Sequence, residues 1–180
     1  MQENKNEIIE LFKISVTTGV LDIDSEYWIN QFYQHKSQNL SAKKSNKGGY
    51  QSESNLYYFK EFFPLVKIFN NLFFSFEENP NLKLIELWFN INPPGTFNRI
   101  HDHGFLVTEN SPNLSGVIYL KTPPNSGDIV FYNPVNSNLF YPFSPSLKQY
   151  FLFPKWLKHS VDANLSQEDR ISIAFNYTFI

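Results

Sequence analysis

The sequence predicts a mainly β protein, a closed or double-sheet antiparallel structure with helices laid over one outer face. Three observations carry that prediction. Apolar residues recur with a period of two in five separate runs after residue 82. Clusters of Pro, Asn, Ser and Gly such as "TPPNSG" and "YNPVNSN" divide those runs as turns divide strands. Aromatic residues make up 18% of the chain, a load whose rings suit a pleated, half-buried surface.

The elements follow in order. In "DIDSEYWINQFYQHKSQ", Asp24 or Ser25 can cap a helix that puts Tyr27, Trp28 and Phe32 on one face. "SNKGGYQS", residues 45–52, reads as a glycine-containing loop, and the basic run "KKSNK" as its solvated flank. "PLVKIFNNLFFSF" places Pro64 at a first helical position. Leu65, Ile68, Phe69, Leu72, Phe73 and Phe76 then recur at spacings of three and four, until "ENPN" ends the helix. Strands are expected at 82–92, 114–121, 128–133, 149–154 and 170–179. The 180 residues suit one domain, with 1–80 as helical support and 82–180 as the β core.

Composition narrows the chemistry. No cysteine is present, so disulfides, thiolate metal sites and Cys nucleophiles are excluded. The formal net charge of −2 and the lack of a basic cluster leave no nucleic-acid footprint. No run approaches the roughly 18 apolar residues of a membrane span. The polar start "MQENKNEIIE" lacks a secretory core, so a cytoplasmic location is expected. An exposed edge strand could pair with a second copy, which leaves a homodimer open.

Four histidines are present, and two of them, His101 and His103, sit two positions apart in "NRIHDHG". On an extended strand both would point the same way and Asp102 the other, a spacing suited to one shared metal ion. His159 in "FPKWLKHSV" is the natural third imidazole, while His35 lies in a predicted helix without partners. Imidazoles alone do not choose among iron, zinc, copper and nickel. Arg170 follows His159 by eleven positions, on what the spacing predicts is an adjacent strand. Its planar fork matches a carboxylate, and Ser172 on the same face adds a hydroxyl. On the last strand Arg170, Ser172, Ala174, Asn176 and Thr178 share one face, which would meet solvent on an open sheet or line a pocket in a closed roll. A metal beside a carboxylate clamp suits a small dicarboxylate such as 2-oxoglutarate.

Five blocks in this order, "SNKGGYQS", "ELWFNINPPGTFNRIHDH", "LSGVIYLKTPPNSGDIVFYNP", "FPKWLKHSV" and "RISIAFN", cover about residues 45–176. Together they resemble the 2-oxoglutarate/Fe(II) oxygenases of marine bacteria, cyanobacteria and their phages, distant relatives of the prolyl hydroxylases. The resemblance implies a double-stranded β-helix, a cupin-like jelly roll, with Fe(II) at its mouth. It implies His101 and His159 as ligands, and Arg170 with Ser172 on the distal carboxylate of 2-oxoglutarate. It also implies Tyr119, with Asn90 or Asn98, as cosubstrate contacts. The activity implied couples oxidative decarboxylation of 2-oxoglutarate to C–H oxidation of a further substrate. The usual motif carries Asp or Glu where this chain has His103. A three-histidine site is therefore the first expectation, and Asp102 swinging in from a non-extended loop is the alternative. A three-histidine dioxygenase that uses no keto-acid, or a non-catalytic jelly-roll module, remains as another reading of the same residues.

Overall fold

The structure is a computed structural model that describes residues 14–72, 82–104 and 114–179. Helical positions Phe73 and Phe76 and the "ENPN" stop lie outside those residues.

Two antiparallel sheets face one another. The larger contains β1 (Thr17–Val20), β3 (Tyr50–Gln51), β4 (Leu82–Asn92), β6 (Leu114–Lys121), β9 (Gln149–Pro154) and β11 (Arg170–Phe179). They lie in the order β1-β9-β6-β11-β4-β3. The smaller contains β2 (Asn46–Lys47), β5 (Phe97–His101), β7 (Ile129–Tyr132), β8 (Phe140–Phe143) and β10 (His159–Val161), in the order β2-β5-β10-β7-β8. From β4 onward the chain passes back and forth between the sheets, the winding of a jelly roll. β4, β6, β9 and β11 coincide with the predicted runs, because each carries a full period-two pattern.

Two helices cover the outer face of the larger sheet. The first, α1 (Ser25–Gln38), starts where the Asp24 side chain accepts the Tyr27 backbone N–H at 3.0 Å. Trp28 and Phe32 are buried, but Tyr27 is 47% exposed, so the predicted face is one residue too wide. The second, α2 (Phe63–Leu72), begins one residue before Pro64 and buries Leu65, Phe69 and Leu72. Phe32 stacks on Phe89 of β4 with ring centroids 4.2 Å apart, and Phe69 lies 4.7 Å from Phe175 of β11. A second cluster, including Tyr119, Phe131, Phe151, Phe153 and Leu157, fills one part of the space between the sheets.

Several expectations are corrected. The stretch 45–52 is not a free loop: β2 pairs with β5 and β3 with β4. Such two-residue strands are too short to show a period. β8 was not predicted at all, since "FYPF" has no alternation and all four of its residues are exposed. Arg170 does not lie on a strand adjacent to His159. β10 and β11 belong to opposite sheets, and the connection crosses the end of the roll. Buried Asn164 holds that crossing, donating to Asn92 O at 2.8 Å and Glu168 O at 2.7 Å while its backbone N–H donates to Thr96 O.

Replacing the stacked ring with Phe89→Ala should cost about 3–5 kcal/mol, the usual range for deleting a buried Phe. Urea unfolding measures it, and a loss below about 1 kcal/mol would remove this contact as the tie between α1 and the sheet.

Candidate metal centre and its cavity

β5 ends at His101 and β10 begins at His159, and the two residues are direct cross-strand partners. Their rings lie with centroids 4.3 Å apart. His103 arrives differently, because the strand has already ended. The Asp102 carboxylate accepts the Gly104 N–H at 3.0 Å, and Gly104 takes a φ of +101° that favours glycine. The His103 N–H donates to Lys155 O at 2.8 Å, anchoring the turn to the segment before β10. A turn, not the i, i+2 spacing of one strand, brings the third imidazole in. The possible ligand atoms of His101, His103 and His159 all lie within 4.8 Å of one another. Asp102 is outside that group, its Oδ1 taken up by the turn.

Each imidazole is tied through Nδ1. His101 Nδ1 lies 2.7 Å from Arg99 O, and His159 Nδ1 lies 2.9 Å from Leu157 O. His103 Nδ1 lies 2.8 Å from Asn176 Oδ1 and 2.8 Å from Ser115 Oγ. A carbonyl oxygen can only accept, so these rings carry the proton on Nδ1 and keep the Nε2 lone pair. Burial lowers all three from their ordinary value, His159 well below it because its two neighbours add to the cost of charging it. Three neutral nitrogen donors converging in this way fit a divalent first-row metal such as Fe(II).

The same cavity, about 580 Å³ in volume, lies between the sheets and is lined by all three histidines. Arg170, Ser172, Ala174 and Asn176 also line it, so their face of β11 meets a pocket and not solvent. Asn90, Asn98 and Tyr119 reach the same space. Arg170 is 1% exposed, and its Nη1 donates to Ser126 O and, at 3.0 Å, to Asp162 O. Gly127, at a φ of +92°, permits this: a Cβ there would lie 2.8 Å from Arg170 Nη1. Three buried polar atoms of the lining have no partner among the described residues: Arg170 Nη2, the Tyr119 hydroxyl and Asn90 Oδ1. Burial pushes the Tyr119 hydroxyl up to about 12, against the pull of Arg170, so it remains a donor. Asn98 is already engaged, donating to Ser45 Oγ at 3.2 Å, with Asn92 Nδ2 at 3.5 Å from its Oδ1.

Glu86, Ser115 and Trp88 carry no functional signal in the sequence, and the contacts of Asn176 were not legible there. Asn176 donates through Nδ2 to the Glu86 carboxylate, and Ser115 Oγ donates to Asn176 Oδ1 at 2.7 Å. The Trp88 ring lies 5.7 Å from that of His103. Only the placement of Asn176 on the polar face of β11 hinted at any of this. His35 is a core residue 8% exposed, packed edge-on against Phe59, Phe62 and Phe89.

Residues 136–176 match the family described as "Putative 2OG-Fe(II) oxygenase", a stretch that carries β8 to β10 and most of β11. No curated protein matches the sequence. Among solved structures, a prolyl-4-hydroxylase from Pseudomonas putida is similar at 14% identity and a TM-score of 0.66, over 92% of each chain. The α-ketoglutarate-dependent epimerase SnoN of nogalamycin biosynthesis is similar at 12% identity and a TM-score of 0.73, over 91% of this chain and 77% of that one. A viral collagen prolyl hydroxylase from Paramecium Bursaria Chlorella virus-1, in complex with 2OG, shares 11% identity at a TM-score of 0.65, over 92% and 96%. At such identities these likenesses establish the fold alone, a jelly roll. No described helix is long and apolar enough to cross a membrane.

In metal-free protein the folded state resists protonating its four histidines, His35 included, while the unfolded chain takes protons up near the ordinary value of 6.5. Below about pH 6.5 the unfolded state therefore binds more protons, and stability falls with pH. Thermal unfolding between about pH 8 and pH 5 should show a plateau above 6.5 and a decline below it. A flat profile would contradict the buried, neutral cluster.

Proposed function

We propose that this chain is a 2-oxoglutarate- and Fe(II)-dependent oxygenase, with His101, His103 and His159 as the metal ligands. The family match over residues 136–176 and the shared fold support an enzyme of that class, with 2-oxoglutarate as cosubstrate. One observation carries the assignment of the cosubstrate end. Two buried donors with no partner among the described residues, Arg170 Nη2 and the Tyr119 hydroxyl, line the same cavity as the three histidines. An unpaired buried donor is costly, and a carboxylate satisfies both at once.

The residues divide the work. Arg170 anchors the distal carboxylate with Nη2, because Nη1 is committed to Ser126 O and Asp162 O. Burial lowers its pKa from the ordinary value, while Tyr119 and Asp162 oppose that shift. Tyr119 donates to the same anion, and Ser172 stands beside Arg170 on the strand face. Ala174 lies between the clamp and the histidines and leaves room for the cosubstrate's carbon chain. Asn90 offers an amide to the lining, whereas Asn98 acts by buttressing β5 and Ser45. Fe(II), when bound, supplies the oxygen chemistry that couples decarboxylation of 2-oxoglutarate to oxidation of a C–H bond. The three imidazoles hold it by Nε2, in the tautomer that their Nδ1 contacts select. The cavity volume is in the range of small-molecule sites, and the mouth beside Lys44 and Arg99 is where the further substrate enters.

The all-nitrogen donor set favours one second reading, a three-histidine dioxygenase that uses no keto-acid. Turnover of 2-oxoglutarate without a second substrate separates the two. A cytoplasmic location belongs to the same proposal, as does pairing of two copies through the exposed edge strand β8.

Arg170→Ala should abolish 2-oxoglutarate binding and its Fe(II)-dependent consumption while metal uptake remains. Tyr119→Phe should weaken binding by about tenfold, the effect of removing one hydrogen bond to a charged group. Calorimetric titration of metal-loaded protein measures both, and unchanged binding in Arg170→Ala would end the cosubstrate assignment. A sedimentation mass of a single chain would remove the pairing.

A further inference from the structure

Asn176 touches neither the proposed clamp nor the cavity mouth, yet it is 2% exposed and every polar atom of its amide is engaged. It occupies one rung of the larger sheet, directly between Glu86 of β4 and Ser115 of β6. The chemistry of that rung allows one arrangement. Glu86 has only acceptor oxygens, so the amide turns Nδ2 toward it. Oδ1 then faces His103 and can only accept, which puts the His103 proton on Nδ1 and leaves Nε2 free. Turning the amide over would set its oxygen against a carboxylate and its NH2 against the His103 ring.

His101 and His159 take their orientation from backbone carbonyls, which any sequence would provide. His103 is the one imidazole of the three held by side chains, and it stands where the related motif carries an anionic ligand. We infer that Glu86 and Asn176 form a positioning relay for His103. Glu86 fixes the amide, the amide fixes the imidazole, and the negative charge missing from the ligand set is returned one hydrogen-bonded step behind it. Carboxylate–histidine–metal arrangements raise the basicity of the ligand and lock its ring in the same way, here with an amide interposed. The inference rests on the three-histidine metal centre proposed above.

Two measurements test it without turnover. In metal-free protein, ring ¹⁵N shifts should show His103 as the Nδ1–H tautomer, and Asn176→Leu should release that preference. With Co(II) alone as probe, followed by its visible absorption, Glu86→Gln and Asn176→Leu should each bind about 10- to 100-fold more weakly than the parent. The double variant Glu86→Gln with Asn176→Asp moves the carboxylate next to His103 and should recover most of the loss, which a merely structural role would not do. Should Asn176→Leu fail to fold, the near-isosteric Glu86→Gln and the parent's own tautomer decide the matter. A parent that binds Co(II) beside variants of equal affinity, or an Nε2–H ring in the parent, overturns the relay alone. A parent that takes up no Co(II) overturns the metal centre and the relay together.

Discussion

The pleat of β11 places two incompatible environments on one strand, and the remaining structure is arranged to satisfy both. One row, Ile171, Ile173, Phe175 and Tyr177, is buried against the helices, with Phe69 of α2 packed on Phe175 and accepting the Tyr177 hydroxyl through its carbonyl. The alternate row, Arg170, Ser172, Ala174 and Asn176, is just as buried but faces the cavity. A buried guanidinium and a buried amide are tolerated only because the neighbouring strands, the turn at Ser126 and the crossing loop bring hydrogen-bond partners to them. A slip of one residue in the register with β4 or β6 would exchange the two rows and destroy both faces at once.

The electrostatics of the cavity follow from the same enclosure. Desolvation keeps three imidazoles neutral within a small volume, where protonating any one would penalise the others. Arg170, the buried basic group of the lining, keeps part of its donor capacity unspent among the described residues. Such a site has nitrogen lone pairs at one end and an under-satisfied cation at the other. That asymmetry suits a ligand which chelates a metal with one end and presents an anion with the other.

Much of this was legible in the residues. The long strands announce themselves by period, and the three histidines, Arg170, Ser172 and Tyr119 do face one cavity. The short strands β2, β3 and β10 were not legible, since two or three residues carry no periodicity and owe their pairing to longer neighbours. Glu86 and Ser115 were invisible for another reason. Each reads as an ordinary strand residue until the register of β4, β11 and β6 sets them in one rung around Asn176.

By itself the sequence determined which residue types would be available and on which face of each long strand they would fall, because the pleat has a period of two whatever the surroundings. It determined the capping of α1 at Asp24 by the same local logic. Only the tertiary structure decided that β10 and β11 lie in opposite sheets, so that Arg170 approaches His159 across the roll and not along one sheet. Only it decided that His103 joins the cluster while Asp102 is spent on a turn. In "NRIHDHG" both side chains were chemically eligible, and the choice came from a turn at the left-handed Gly104 together with the hydrogen bond from the His103 N–H to Lys155 O, a long-range contact that the sequence does not display.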